Sequence, residues 1–227
     1  MFVFKIKKFT FAILKSIPLK KAGLIIFIVL FIDQFSKFYV KTHFALDESI
    51  NILGIQWARI HFTENLGAAW GFQLNDFLTF LSDTQSKIIL TTFRIFAIAG
   101  IGYWLMSSIK QHASKILIVA VSLILAGAIG NIIDSVFYGV LFEESSRVTQ
   151  NLATFLPENG GYSPFFHGRV VDMLYFPMWS GNLPSWIPFV GGKYFTFFNA
   201  IFNVADFAIS CGVGLLIIFN KRVFPQN

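Results

Sequence analysis

An all-α membrane protein of four transmembrane helices is predicted, with both termini in the cytoplasm and a small extracytoplasmic β-rich element. Three observations lead to this fold class. Hydrophobic residues make up 55% of the 227 residues and charged residues only 13%, about half the charged fraction of an ordinary soluble domain. Four apolar windows are each about long enough to cross a bilayer. Lys and Arg are spread unevenly among the segments that join these windows.

The four apolar windows define the predicted membrane helices. A spanning helix needs about 20 mainly apolar residues, and the windows cover residues 22–40, 88–106, 116–136 and 195–219. The first follows a basic arm, as the core of a secretory signal would, but it runs past signal-peptide length and lacks a clear cleavage site. We interpret it as an uncleaved first span, within a single integral membrane domain over residues 1–227.

The distribution of charge predicts the orientation. The N-terminal arm, residues 107–115 and the C-terminal tail contain Lys and Arg but none of the 12 acidic residues. Such segments lie in the cytoplasm in most membrane proteins, so both termini are expected inside. The net charge of +6 therefore reflects topology, and no nucleic-acid partner is expected.

Two long outer loops remain, over residues 41–87 and 137–194. In the first, β-favouring residues between positions 50 and 62 predict a short sheet on the membrane surface. In the second, several prolines and two Gly-Gly pairs exclude a long regular helix, and the aromatic stretch 175–189 is typical of a membrane interface. The single cysteine, Cys211, allows neither an intrachain disulfide nor a cysteine-based metal cluster.

Polar side chains interrupt the apolar windows. An ionisable residue inside a bilayer is costly and is a functional candidate by default. The interrupting residues are Asp33 and Lys37 in the first window, Arg94 in the second, Asn131 and Asp134 in the third, and Asn199, Asn203 and Asp206 in the fourth. With both termini inside, all of them lie in the outer half of the membrane, which predicts one polar cluster shared by four helices.

Helical spacing groups two amides with two carboxylates. Asn131 and Asp134 are three residues apart, as are Asn203 and Asp206, so each amide is expected beside its carboxylate on one helix face. Asp206, mid-span beside Asn203, is therefore a strong functional candidate. Asp172 lies in a loop, where position alone favours a solvated carboxylate.

Other polar or small residues in the windows have simpler interpretations. Asp33 and Lys37, four residues apart, either neutralise each other or act on a substrate. Arg94 alone is typical of a snorkelling residue or a counter-ion. Gly127 and Gly130 are interpreted as helix-packing residues.

Five short motifs follow one another along the chain: DQFSK at 33–37, ENLGAAWG at 64–71, GAIGNIID at 127–134, GRVVD at 168–172 and FNVAD at 202–206. In this set the sequence resembles the lipoprotein signal peptidase (signal peptidase II) family, and the resemblance extends over most of the chain. It implies an aspartic endopeptidase with Asp172 and Asp206 as its catalytic pair. It thereby singles out Asp172, which position alone does not.

The resemblance also implies a set of substrate-binding and supporting residues. They are Asp33, Lys37, Asn65, Gly67, Ala68, Asn131, Asp134, Arg169 and Asn203. The segment from Asn65 to Gly71 would contact the substrate backbone at the outer mouth of the site. Asn131 and Asn203 would position the catalytic pair or the substrate.

Two departures from the family pattern concern the segment before Asp172. The family has an arginine directly after the aspartate of its third motif, whereas Ser135 follows Asp134 here, and Arg169 is a candidate replacement.

The second departure is a longer spacing. Asp134 and Asp172 are 38 positions apart, much further than in the family. An insertion at about 141–167 must therefore loop out and return Asp172 to the site. The ionisable residues of the insertion, which have no counterpart in the motifs and are expected to be solvated or to face substrate, are Glu143, Glu144 and His167.

The chemistry implied by the resemblance is hydrolysis of a peptide bond. Two neighbouring carboxylates cannot both ionise cheaply, so the pair shares a proton and holds a base and an acid together. The family's substrate is a diacylglyceryl-prolipoprotein, cut just before the lipidated cysteine. A monomer is implied, without cofactor or metal and surrounded by phospholipid. It would lie in the bacterial cytoplasmic (inner) membrane with its active site near the extracytoplasmic face.

Other functions are weighed against this interpretation. The four histidines are dispersed with no His-Glu-x-x-His motif, and a Gly-x-Ser-x-Gly motif is absent as well. The main alternative is a proton-coupled transporter or ion-conducting protein that uses the same buried carboxylates, although the internal repeats typical of transporters are missing. A third is a noncatalytic membrane scaffold, in which the buried acids serve assembly alone.

Overall fold

A computed structural model describes residues 2–65 and 82–224. The helices are α1 (Phe2–His43), α2 (Asp83–Lys110), α3 (Lys115–Ile133), α4 (Gly139–Leu141), α5 (Val204–Ile218) and α6 (Asn220–Val223). The strands are β1 (Ser49–Asn51), β2 (Arg59–Asn65), β3 (Val170–Tyr175), β4 (Trp179–Asn182), β5 (Tyr194–Phe197) and β6 (Ile201–Phe202). A π-helical turn, Asp134–Tyr138, joins α3 to α4. The proposed substrate-contact residues Gly67 and Ala68 lie outside the described residues.

Within the described residues, three helical segments are long and apolar enough to cross a membrane: Pro18–His43, Thr84–Lys110 and Lys115–Leu141. They contain the first three predicted windows and extend beyond them at both ends. The helical membrane fold with a small sheet is thus confirmed. The fourth window yields only the shorter apolar helix α5.

The start of the fourth predicted span is wrong. The window was placed at 195–219, but the helix begins at Val204. Before it, Tyr194–Phe197 pairs with β4 and Ile201–Phe202 pairs with β3. Aromatic and β-branched residues favour strands when pairing partners are present, and hydropathy alone cannot distinguish such strands from the beginning of a membrane helix.

The chain divides into two compact units. The helical unit comprises Met1–Phe35, Ile88–Ile133 and Val204–Asn227, and the sheet unit comprises Ser36–Lys87 and Asp134–Asn203. In the helical unit, a buried apolar cluster joins α1, α2, α3 and Val223 of α6. Close contact between α3 and α5 depends on glycine: a Cβ added to Gly127 would lie 2.2 Å from the Ala205 carbonyl oxygen. Gly127 therefore serves packing, as predicted.

The sheet unit contains a four-stranded antiparallel sheet in the order β1-β2-β3-β6, and β4 and β5 form a separate hairpin. The predicted sheet in the first outer loop is present as β1 and β2. Phe62 on β2 is completely buried, and Val170–Met173 of β3 is buried at four consecutive positions, so β3 is covered on both faces.

The two ends of the insertion between Asp134 and Asp172 lie next to each other. The Gly168 N–H donates to the Ser135 carbonyl oxygen at 2.9 Å. A Cβ at Gly168 would lie only 2.0 Å from the Asp134 carbonyl oxygen, so no other residue fits without moving the backbone. β3 therefore begins next to the π turn, and the length of the insertion does not displace Asp172 from Asp134.

The contact at Gly127 predicts that Gly127→Ala destabilises the helical unit by about 1–3 kcal/mol, because the added methyl group forces α3 and α5 apart. Gly214→Ala on α5 is the matched control, since its Cβ would meet nothing within 4 Å. There, the better helix propensity of alanine should leave stability unchanged or raise it by up to about 1 kcal/mol. Unfolding of both variants in detergent measures the difference, and equal effects would contradict close α3–α5 packing.

Candidate active site

Asp33 holds the first turn of α5 in the helical unit. Its side chain is fully buried, and Oδ1 accepts a hydrogen bond from the Ala205 N–H at 2.8 Å. The first N–H groups of a helix lack intrahelical partners and favour negative charge. Glycine at position 130 makes room for the carboxylate, because a Cβ there would lie 2.6 Å from Asp33 Oδ2. Asp33 on α1 therefore caps α5.

Asp206 lies in the same first turn of α5 and is partly exposed. Asn131 on α3 donates from Nδ2 to Asp206 Oδ1 at 2.7 Å. The side-chain amide and the N-terminal end of α5 both favour a carboxylate at this point. Asp33, Asn131 and Asp206 thus form the polar cluster of the helical unit.

Asp172 is held in the sheet unit by amides from two other segments. Its side chain lies on β3 and is almost completely buried. Asn203, just after β6, donates to Asp172 Oδ1 at 2.7 Å, and Asn65 at the end of β2 donates to Oδ2 at 3.4 Å. Two amides therefore fix the direction of the carboxylate without adding a positive charge.

A β-bulge lies beside Asp172. Thr63 is opposite Asp172 and Ile60 is opposite Leu174, so β2 advances three residues where β3 advances two. Bulges of this kind redirect side chains and occur often next to active sites. The irregular register contributes to the orientation of β2 at Asn65.

Asp134 forms a buried ion pair with Lys37. Lys37 Nζ and Asp134 Oδ2 are 2.9 Å apart, and both side chains are fully buried. Asp134 Oδ2 also accepts the Val171 N–H at 3.2 Å. Through Asp134, the ion pair fixes the backbone of Val171, directly before Asp172. Lys37 and Asp134 also compensate each other's charge, which would be costly to bury alone.

Each of the two asparagines also donates to an aspartate on another segment, a contact that helix spacing does not predict. Asn131 donates to Asp206 and Asn203 donates to Asp172. Because α5 begins at Val204, Asn203 precedes the helix and does not share a helix face with Asp206. The prediction that Asn199 lies within a span is wrong as well, since this exposed residue accepts a hydrogen bond from the Tyr175 hydroxyl at 2.9 Å.

A buried charged network in the sheet unit was not anticipated. Lys41, which is fully buried, forms an ion pair with Glu64. Arg169 bridges Glu64 at 3.2 Å and the more exposed Glu144 at 2.9 Å. Glu64 directly precedes Asn65, so the network holds the end of β2 from which Asn65 reaches Asp172. The sequence contains one indication that Lys41 is buried. It follows Lys37 by one helical turn, so the two lysines lie on the same face of α1.

Tyr162 joins this network to the insertion. Its hydroxyl accepts the Arg169 N–H at 2.6 Å, and its ring lies under the Arg169 guanidinium, 5.2 Å from ring centroid to Cζ. Burial, reinforced by the Glu64 carboxylate, raises the pKa of Tyr162 above its ordinary value. The phenol therefore stays neutral at physiological pH.

The two units share the predicted site residues unequally. The helical unit contains Asp33, Asn131 and Asp206, and the sheet unit contains Lys37, Asn65, Asp134, Arg169, Asp172 and Asn203. Among the residues that the structure describes, no group of three His, Cys, Asp or Glu side chains is placed to hold a metal ion.

Comparisons with known proteins agree with one another. The family model for signal peptidase (SPase) II matches residues 25–221. A lipoprotein signal peptidase of Porphyromonas gingivalis is 42% identical over 204 residues, which cover 89% of this chain and 84% of that protein. One of Amoebophilus asiaticus is 36% identical over 199 residues, covering 86% of this chain and 75% of that protein. A bacterial membrane enzyme solved by the in meso method has the same fold, with a TM-score of 0.53, 24% identity, and coverage of 92% of this chain and 95% of that one.

The buried network predicts a large effect of Lys41→Met. Removing one partner of a buried ion pair costs about 3–5 kcal/mol, because it leaves the other charge poorly compensated. Arg147→Met is the matched control in the same unit, since the Arg147–Asp47 pair has side chains 70% and 39% exposed, and exposed pairs contribute about 0–1 kcal/mol. Unfolding in detergent compares the two variants. A Lys41→Met effect no larger than that of the control would refute a stabilising role for the buried pair.

Proposed function

This chain belongs to the signal peptidase II family, and we propose that it is a membrane aspartic endopeptidase with Asp172 and Asp206 as its catalytic pair. Its substrates are diacylglyceryl-modified prolipoproteins, from which it removes the signal peptide by cutting before the lipidated cysteine. The relatives named lipoprotein signal peptidases support this substrate class. Family membership disfavours the transporter and ion-conducting alternatives.

The hydrogen-bond partners of four aspartates support the choice of the pair. Asp33 caps α5 through the Ala205 N–H and also accepts a hydrogen bond from the Gln34 side-chain amide at 3.1 Å. Asp134 holds the Val171 N–H and carries the ion pair with Lys37. Asp172 and Asp206 each accept a 2.7 Å hydrogen bond from an asparagine amide. An amide orients a carboxylate while leaving it able to exchange a proton. The proposal is carried by this division of roles: Asp33 and Asp134 hold the backbone at Ala205 and Val171, and asparagine amides direct Asp172 and Asp206.

The proposed reaction uses one carboxylate as base and the other as acid. The ionised partner takes a proton from a water molecule, whose oxygen attacks the scissile carbonyl carbon. The protonated partner donates a hydrogen bond to the carbonyl oxygen. When the C–N bond breaks, a proton passes to the leaving amine. No covalent enzyme intermediate forms, because water is the nucleophile.

The supporting residues act through Asp172 and Asp206. Asn65 and Asn203 direct Asp172, and Asn131 directs Asp206. Arg169 acts on the site through Glu64, the neighbour of Asn65. Gly67 and Ala68, as neighbours of Asn65 along the chain, contact the substrate backbone.

In the proposed topology, α5 is the fourth span of a monomeric protein in the bacterial inner membrane. Both termini are cytoplasmic and the active site lies near the extracytoplasmic face. The basic segments without acidic residues support this orientation. A site at this depth suits a substrate whose lipid-modified cysteine is held at the membrane surface.

Asp172→Asn and Asp206→Asn should each reduce cleavage of a diacylated prolipoprotein peptide by about 10²–10⁴-fold or more, because each removes one half of acid–base catalysis. The assay compares purified wild-type and variant protein in detergent. Asp47→Asn is the control, since this partly exposed residue pairs with Arg147 and should retain activity. Near-wild-type cleavage by either catalytic variant would refute the assigned pair, and no cleavage by the wild type would refute the proposed substrate.

Asn131→Ala and Asn203→Ala should reduce kcat without abolishing it. Each variant loses a hydrogen bond to a charged group worth about 1.5–3 kcal/mol, which corresponds to a roughly 10- to 150-fold decrease. Asn199→Ala is the matched control, because this exposed asparagine contacts neither aspartate in the hydrogen bonds described above. A similar decrease in all three variants would show that the amides do not act through the catalytic carboxylates.

A further inference from the structure

The β4–β5 hairpin, residues 179–197, exposes large aromatic side chains. We call it the aromatic hairpin. At and near its tip, Trp186 is 80% exposed, Phe189 is 97% exposed and Tyr194 is 71% exposed. Rings this large are seldom left in water without a partner, and a contiguous exposed apolar patch marks an interaction surface.

The charge pattern around the hairpin indicates the kind of partner. From residue 173 to residue 205 the only charged side chain is Lys193. A protein partner recognised through charge complementarity would find almost nothing to pair with. Tryptophan and tyrosine are, in contrast, enriched where a membrane protein meets the lipid headgroups. The composition therefore favours a lipid surface.

Backbone hydrogen bonding limits how deep the hairpin can lie. Within the part of the chain that the structure describes, β4 and β5 pair with each other and with no other strand. The outer edge of each strand therefore needs water or headgroup partners, because open sheet edges do not occur in the hydrocarbon region. The exposed rings need lipid and the open edges need polar partners, and only the boundary between headgroups and acyl chains supplies both.

Chain length limits how far the hairpin can lie from the start of α5. Its second strand ends at Phe197 and α5 begins at Val204, so at most about 25 Å of extended chain separates them. α5 has 15 residues, which gives a length of about 22 Å, shorter than the roughly 30 Å hydrocarbon core. If α5 is a span, as proposed above, the apolar residues before it lie at the membrane boundary.

We propose that the aromatic hairpin is a lipid-binding element that inserts Trp186 and Phe189 into the outer boundary of the bilayer. The partner is the membrane surface itself, recognised by apolar burial and not by charge. The hairpin would thereby keep the sheet unit, which contains Asp172, at a constant depth relative to lipid-anchored substrate. The lipid contact does not require peptidase activity, so it can be tested separately from the proposed reaction.

Spin labels at single cysteines test the proposal in the full-length protein reconstituted into lipid nanodiscs. Cys211→Ala removes the single native cysteine, and Trp186→Cys or Phe189→Cys then places a label on the hairpin. Val148→Cys is the matched control: this residue is 92% exposed in the same unit, but it lies in the polar insertion next to Arg147. Collision of each label with molecular oxygen, which concentrates in lipid, is compared with collision with a water-soluble nickel chelate.

We expect the ratio of oxygen to nickel collision to be several-fold higher at positions 186 and 189 than at position 148. High nickel accessibility at 186 and 189, equal to that at 148, would show that the hairpin lies in water and would overturn the proposal. Low accessibility to both reagents would show that protein covers the hairpin, which also overturns it. Prolipoprotein cleavage by the Val148→Cys protein reports on the peptidase proposal independently of the hairpin result.

Discussion

The buried ion pair between Lys37 and Asp134 is the contact on which the geometry of the sheet unit depends. Each charge would cost several kcal/mol to bury alone, so the pair is strongly held together. Asp134 also accepts the Val171 N–H, which ties the backbone immediately before Asp172 to α1. The position of Asp172 is therefore set by a contact that is expensive to break, and not by the loop that leads to it.

This arrangement explains how the protein tolerates a long insertion directly before Asp172, a proposed catalytic residue. The entropy of closing a loop grows only slowly with its length, so extra residues cost little once both ends are fixed. Here the Gly168 N–H returns to the Ser135 carbonyl, and Arg169 continues into the Glu64 and Glu144 ion pairs. The insertion contributes Glu144 and Tyr162 to this network, so it also supports the end of β2.

The sequence predicts the parts of the fold that depend on local composition. Long apolar windows identify α1, α2 and α3, and β-favouring residues identify β1 and β2. The start of α5 is missed because Tyr194–Phe197 and Ile201–Phe202 are as apolar as a span, and their pairing with β4 and β3 is a tertiary contact. Hydropathy contains no information about that pairing.

The candidate site, too, could be predicted from the sequence only in part. Motifs identify Asp172 and Asp206, but they do not say which amide contacts which aspartate. Asn131 and Asp206 are 75 residues apart in the sequence, so helix spacing could suggest only the nearer Asp134 as a partner. Lys41 and Glu64 were missed because an isolated Lys at a helix end and a Glu in a loop are usually solvated. Their burial becomes visible only once β2 and the insertion are folded around them.

The partners of the aspartates fit the roles proposed for them. Lys37 compensates the charge of Asp134, and this suits a residue that holds the Val171 backbone. An asparagine amide can orient a carboxylate and still allow it to gain or lose a proton during a reaction. Asp172 and Asp206 have amide partners of this kind, and the proposed catalytic pair, which would hold one proton between two acids, requires that freedom. In the proposed mechanism, a cation thus stabilises the framework at Asp134, whereas neutral donors direct the two residues between which the proton would move.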